Sequence, residues 1–196
     1  MAPNKIFTLS ALAVLLLLIG GCGYYNPNML PADEEGPPIL LNVPVWANQT
    51  NEIGLESVIH NTLSDWLIQN KQIVLTKTRD QAEYELSGRI VSVSFPGLSY
   101  SSSDQATALK AVLNIHYAVI EIKTGKTINQ RNYSLDEPFQ RGASSMQTDE
   151  NKEKALQSLA DDLAENIYIR VYRELNKHKH QTKAKAGADT DRKTGQ

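Results

Sequence analysis

Apolar and polar residues change their spacing several times along the chain, and each change predicts a new element. Residues 6–19 are apolar except for Thr8 and Ser10, with Lys5 in front and Gly20 and Gly21 behind. The run is shorter than the ~20 apolar residues of a membrane-crossing helix. Its charged start and small-residue end fit a secretory signal instead. Residues 39–46 are apolar and β-rich, which predicts a strand with Pro44 near an edge or a strand end. From residue 51 the period becomes helical. Leu55, Val58, Ile59, Thr62, Leu63, Trp66 and Leu67 share one face, and Asn51 is the expected N-cap. Residues 72–76 form a short strand.

Residues 84–95 alternate and predict a long strand, with Gly88 as a bulge; the alternation slips near Ile90–Val91, where a bulge would shift the faces. Residues 96–105 read as a polar loop. Residues 106–122 alternate again, with Leu113, Ile115, Tyr117 and Val119 on one face. Lys123–Lys126 is a hairpin turn in which Gly125 takes positive φ. Residues 127–135 return antiparallel, and a second loop follows. The last element is the clearest. Leu156, Leu159, Ala160, Leu163, Ala164, Ile167, Val171 and Leu175 form one helical stripe. Asp149 and Glu150 lie near its positive end, and Arg170 and Arg173 near its negative end. The adjacent Asp161 and Asp162 read as a solvated edge. Two amphipathic helices and five strands predict an α+β two-layer sandwich. Both helices pack on one face of a mixed, mainly antiparallel four- to five-stranded sheet.

The chain has a single cysteine, Cys22. Ile19-Gly20-Gly21-Cys22 matches the bacterial lipobox, in which small residues admit a peptidase and the thiol receives a lipid. One thiol cannot form an internal disulfide. Residues 1–21 are therefore expected to be a lipoprotein signal peptide. Residues 22–38, with four prolines and an acidic run, read as a lipidated tether. Residues 39–175 form the domain. Gly23 follows the cysteine where an aspartate would favour inner-membrane retention. The expectation is anchorage on the periplasmic face of the outer membrane.

Charge refines this picture. Residues 176–196 carry six basic and two acidic side chains, +4, whereas residues 22–175 carry 13 basic and 20 acidic, −7. An acidic body argues against nucleic acid as partner, since phosphate binding needs a basic face. The last 21 residues hold no large apolar side chain and read as a disordered basic tail. His178 and His180 alone make a poor metal site. His60 reads as a surface side chain, and His116 falls in mid-strand with no nucleophile nearby. The chain has no nucleophile elbow, H-E-x-x-H or phosphate loop. The expected protein is no enzyme and uses no cofactor or metal.

Several segments together resemble the LptE family of outer-membrane lipopolysaccharide-assembly lipoproteins. They are Cys22-Gly23-Tyr24, "VPVWANQTNEIGLESVIHNTL", "AEYELSGRIVSV", "IEIKTGKTI" and "ALQSLADDLAENI". The resemblance spans nearly all of residues 22–175 and is carried by order and spacing rather than by one motif. It implies a non-enzymatic domain that partners and plugs the LptD β-barrel and contacts lipopolysaccharide, with the lipid on Cys22 holding it to the membrane. The matching contact loop is residues 95–105. Arg89 and Lys110 flank it and are the candidate lipopolysaccharide ligands. The opening strand, Asn-x-Thr turn and helix are also similar to lipoprotein regulators of peptidoglycan synthases and to CsgG-like secretion components.

Overall fold

A computed structural model describes residues 37–69, 71–102 and 106–194, with side chains of the last helix described to Gln181. Cys22, the signal segment and most of the tether lie outside the described residues. The elements in chain order are β1 (Ile39–Asn42), β2 (Ala47–Asn48), α1 (Leu55–Ile68), β3 (Ile73–Thr76), β4 (Tyr84–Ser94), β5 (Gly97–Tyr100), β6 (Ala106–Glu121), β7 (Lys126–Gln140) and α2 (Ser145–Thr194). This is the expected α+β arrangement of two helices and an open mixed sheet, with seven strands rather than four or five.

The two added strands have local causes. The apolar stretch 39–46 breaks at Val43–Trp46, where Pro44 has no N–H for a ladder. The strands on either side of the break both pair with β4 in parallel, Leu41 opposite Tyr84 and Ala47 opposite Arg89. The expected loop after Pro96 contains β5, which pairs antiparallel with the start of β6. β4 leaves β6 at Ser94, opposite Val112, and β5 takes over the vacated edge at Leu109. β7 is also longer than expected. It stays paired with β6 as far as Gln140, because Phe139 is buried opposite Leu109.

β1, α1 and β3 form a parallel crossover unit, with Ile39 to Asn42 in register with Ile73 to Thr76. β4, β6 and β7 form an antiparallel meander around the Gly125 turn, where φ is 69°. Alternate residues of these strands face the helices. Leu86, Ile90, Leu113, Ile115, Tyr117 and Val119 are all within 2 % of full burial. They meet the expected stripes of both helices, on which Leu63, Leu67, Leu159, Leu163 and Ile167 are equally buried.

Two local expectations change. The bulge in β4 falls at Val91, between Ile90 and Ser92, where the alternation slips, and not at Gly88. Gly88 instead makes room for Trp46, whose indole Nε1 donates to the Leu86 carbonyl at 3.3 Å. Helix α1 is capped at Gly54, with φ 87°, rather than at Asn51. Asn48 organises the approach. Its Oδ1 accepts from the Thr50 N–H at 3.0 Å, and its Nδ2 donates to the Glu52 carbonyl at 2.8 Å and to Glu56 Oε2 at 2.7 Å. The backbone N–H of Glu56 itself and then the Asn48 Nδ2 bond hold the Glu56 carboxyl below its ordinary pKa.

The largest difference concerns the end of the chain. α2 continues as helix to Thr194, so residues 176–194 are not the expected irregular tail. The continuation is held where it leaves the core. The Tyr84 hydroxyl lies 3.3 Å from His178 Nδ1, and Lys179 Nζ donates to the Pro37 carbonyl. Arg170 and Arg173 are therefore mid-helix and compensate no terminal dipole. The Arg170 guanidinium lies over the Tyr133 ring, 5.9 Å from its centroid.

Candidate functional site: the uncovered face of the sheet

Strand geometry sends alternate side chains to opposite faces. The residues of β4, β6 and β7 that do not face the helices form a second face that neither helix covers. In β6 these are Lys110, Val112, Asn114, His116, Ala118 and Ile120, all partly exposed. Their cross-strand partners are Ser92 for Asn114 and Arg89 for His116 on β4, and Ser134 and Asn132 on β7. The central part of this face is polar, and its side chains are short apart from Arg89.

Two hydrogen bonds order it. His116 Nδ1 lies 2.8 Å from Asn132 Oδ1, and Asn114 Nδ2 donates to Ser92 Oγ at 3.0 Å. A shallow concavity of about 650 Å³ opens here, lined in part by Gln49, Arg89, Asn114, Asn132 and Ser134. The Val91 bulge borders it, and it displaces the strand enough to put Val91 itself on the surface, 42 % exposed. The concavity offers amide and hydroxyl groups and one guanidinium. Such a set can hydrogen-bond hydroxylated or anionic groups, and it contains no nucleophile placed beside a base.

The two basic residues singled out from sequence share this face but not this concavity. Arg89 is exposed, opposite His116, and among the described residues it has no ion-pair partner. Lys110 lies six residues further along β6, roughly 20 Å away at ~3.4 Å per residue. It is paired with Asp136 Oδ2 at 3.4 Å. The structure therefore separates them into a free guanidinium and a neutralised ammonium. His116, Asn114 and Asn132 were not anticipated as site residues. A signal was present, since Asn114 and His116 interrupt an otherwise apolar strand at the positions that alternate with Leu113, Ile115 and Tyr117.

Among the described residues no group of three His, Cys, Asp or Glu side chains is placed to hold a metal ion. Among them, also, no helix is long and apolar enough to cross a membrane. Asp161 and Asp162 are exposed on α2, as expected. His60 is half-buried rather than on the surface, beside Val43 and Pro44.

Comparison with solved structures returns proteins of low identity, several of them lipoproteins. Rare lipoprotein B from Shewanella oneidensis is 10 % identical, with 72 % of this chain and 98 % of that chain covered and a TM-score of 0.48. A minor lipoprotein from Acinetobacter baumannii is 16 % identical, with coverages of 72 % and 96 % and a TM-score of 0.46. The PelC dodecamer from Paraburkholderia phytofirmans is 15 % identical, with coverages of 68 % and 87 % and a TM-score of 0.45. At these values the likeness has no bearing on function. Comparison with curated protein sequences gives no match. The family comparison is different in kind: the model of LptE, lipopolysaccharide-assembly, matches residues 41–171, from β1 into the last turns of the α2 stripe, and so covers more than half of the chain. This protein belongs to the LptE family.

Proposed function

We propose that this protein is the lipid-anchored partner and plug of the LptD β-barrel, acting in lipopolysaccharide assembly at the cell surface. The observation that carries the reading is the family match across the whole sheet and both packed helices. The uncovered face of the sheet supports it. A face left without a helix, polar at its centre and ordered by its own hydrogen bonds, suits contact with another macromolecule better than turnover of a small substrate. The protein's role is non-enzymatic: it binds, positions and assembles. Acylation at Cys22 ties it to the periplasmic side of the outer membrane. An acyl anchor with more than one chain gives stable attachment.

Within this reading Arg89 is the lipopolysaccharide contact. Its guanidinium has no carboxylate partner among the described residues, and arginine binds phosphate in a bidentate fork. Lys110, already paired with Asp136, contributes less. The test is purification of the C-terminally tagged protein from membranes in mild detergent. A single large β-barrel at one-to-one stoichiometry is the expected companion. A peptidoglycan synthase, or a ring of the protein alone, would replace this reading with the regulator or secretion-component reading.

A further inference from the structure

The C-terminal continuation of α2 extends past the buried stripe of the helix. Leu175 is the last buried residue of its stripe, fully covered, and no large apolar residue follows it. The helix nevertheless runs on for 19 residues to Thr194, about 28 Å at ~1.5 Å per residue. Residues 176–196 carry +4 in charge, against −7 for residues 22–175. The position of this arm is specific. It leaves the core at the end of the sheet where the chain enters. His178 meets Tyr84 at the start of β4, and Lys179 meets the backbone of Pro37, two residues before β1. Whatever precedes residue 37 joins the domain at the root of the arm.

We infer that residues 176–194 form a cationic arm that docks on an anionic phospholipid surface. The arm holds its end of the domain toward the bilayer. Charge complementarity selects this occupant. A helix without an apolar face cannot insert into lipid as an amphipathic helix does. It can hold to a surface through phosphate groups, at ~1 kcal/mol for each Lys or Arg near an anionic leaflet. The acidic body is repelled by the same surface, so attraction and repulsion act at different places on one molecule and orient it. The binding is accordingly electrostatic, and salt weakens it over a Debye length of ~8 Å at physiological ionic strength.

The test uses the unlipidated chain of residues 22–196 carrying Cys22→Ser, so that acylation plays no part. Its partition is measured by flotation with three kinds of vesicle: phosphatidylcholine alone, phosphatidylcholine with about a third phosphatidylglycerol, and phosphatidylcholine with lipopolysaccharide. The expected result is binding to the phosphatidylglycerol vesicles, none to the neutral ones, and loss of binding at high salt. Replacing Lys177, Lys183, Lys185 and Lys193 together by Gln leaves Lys179 on Pro37 and keeps good helix formers. It should lower the phosphatidylglycerol partition at least tenfold with an unchanged thermal midpoint. Equal binding by this variant, or binding that survives high salt, would overturn the inference. Capture by the lipopolysaccharide vesicles alone would also overturn it and assign the arm to lipopolysaccharide phosphate. None of these outcomes depends on whether LptD is the partner.

Discussion

Gly88 and Tyr117 show how closely single residues are fitted to the helix-facing side of the sheet. A Cβ at position 88 would stand 2.6 Å from the Trp46 indole carbons, well inside contact distance. Gly88→Ala should therefore cost about 1–3 kcal/mol through overpacking, read as a lower denaturation midpoint at unchanged slope. Tyr117 is 1 % exposed, and its hydroxyl has no hydrogen-bond partner among the described residues. Burial pushes its phenol pKa up, against Arg170 and Arg131, which draw it down. The sign follows from linkage. Above pH ~10 the unfolded tyrosine loses its proton while the folded one keeps it, so stability falls as pH rises through that range. Tyr117→Phe should leave the thermal midpoint near neutrality unchanged or slightly higher, because no hydrogen bond is lost. It should also reduce the alkaline loss, as melts on either side of pH ~10 would show.

At the scale of elements, α2 combines two different helices in one. Its first part is a core element. Leu163 is 1 % exposed, and Leu163→Ala should cost about 2–5 kcal/mol. A charge at Leu163 should prevent folding, visible as loss of the cooperative melt. Its last part is an arm. Truncation after Gln181 should leave the thermal midpoint unchanged. Truncation after Leu175 removes the Tyr84–His178 and Pro37–Lys179 contacts and should lower it by a few degrees. The stripe from Leu156 to Leu175 was legible in the sequence because large apolar residues recur at helical spacing and all of them are buried. The continuation was not legible, because helix without an apolar face leaves no periodic trace. β2 and β5 escaped for a related reason. They are two and four residues long, mostly exposed, and defined by the strand they join rather than by their own pattern. Asn48, not Asn51, governs the entry to α1, a choice that depends on side-chain geometry invisible to spacing.

At the scale of the molecule, the sandwich divides its work between two faces. The helix-covered face supplies stability, and the open face carries the candidate contact residues. Arg89→Glu lies on the open side and should leave the melting temperature within about a degree, as exposed substitutions usually do. In the proposed role it should weaken lipopolysaccharide binding about tenfold or more, the scale of losing one charge-assisted contact. Lys110→Gln should change binding less, because Asp136 already holds that charge. A titration of lipopolysaccharide against both variants compares them directly. The candidate site was half legible. Arg89 was legible as the basic residue before the loop at residues 95–105, although it lies mid-strand in β4. Its neighbours His116 and Asn132 are remote in sequence and become neighbours only through the register of β6 with β4 and β7.

Among the described residues the open sheet also leaves free borders, of which β3 and β7 lie at its two sides. A long bare border is a template on which identical chains stack into aggregates. β3 limits the hazard by being only four residues long. β7 has 15 residues and needs other means. Charges recur along it at Lys126, Arg131, Asp136 and Glu137, and Pro138 withholds an N–H near its end. Copies laid edge to edge in parallel register would place each of these charges against its own kind. The border that closes the meander thus discourages self-stacking of copies in parallel register.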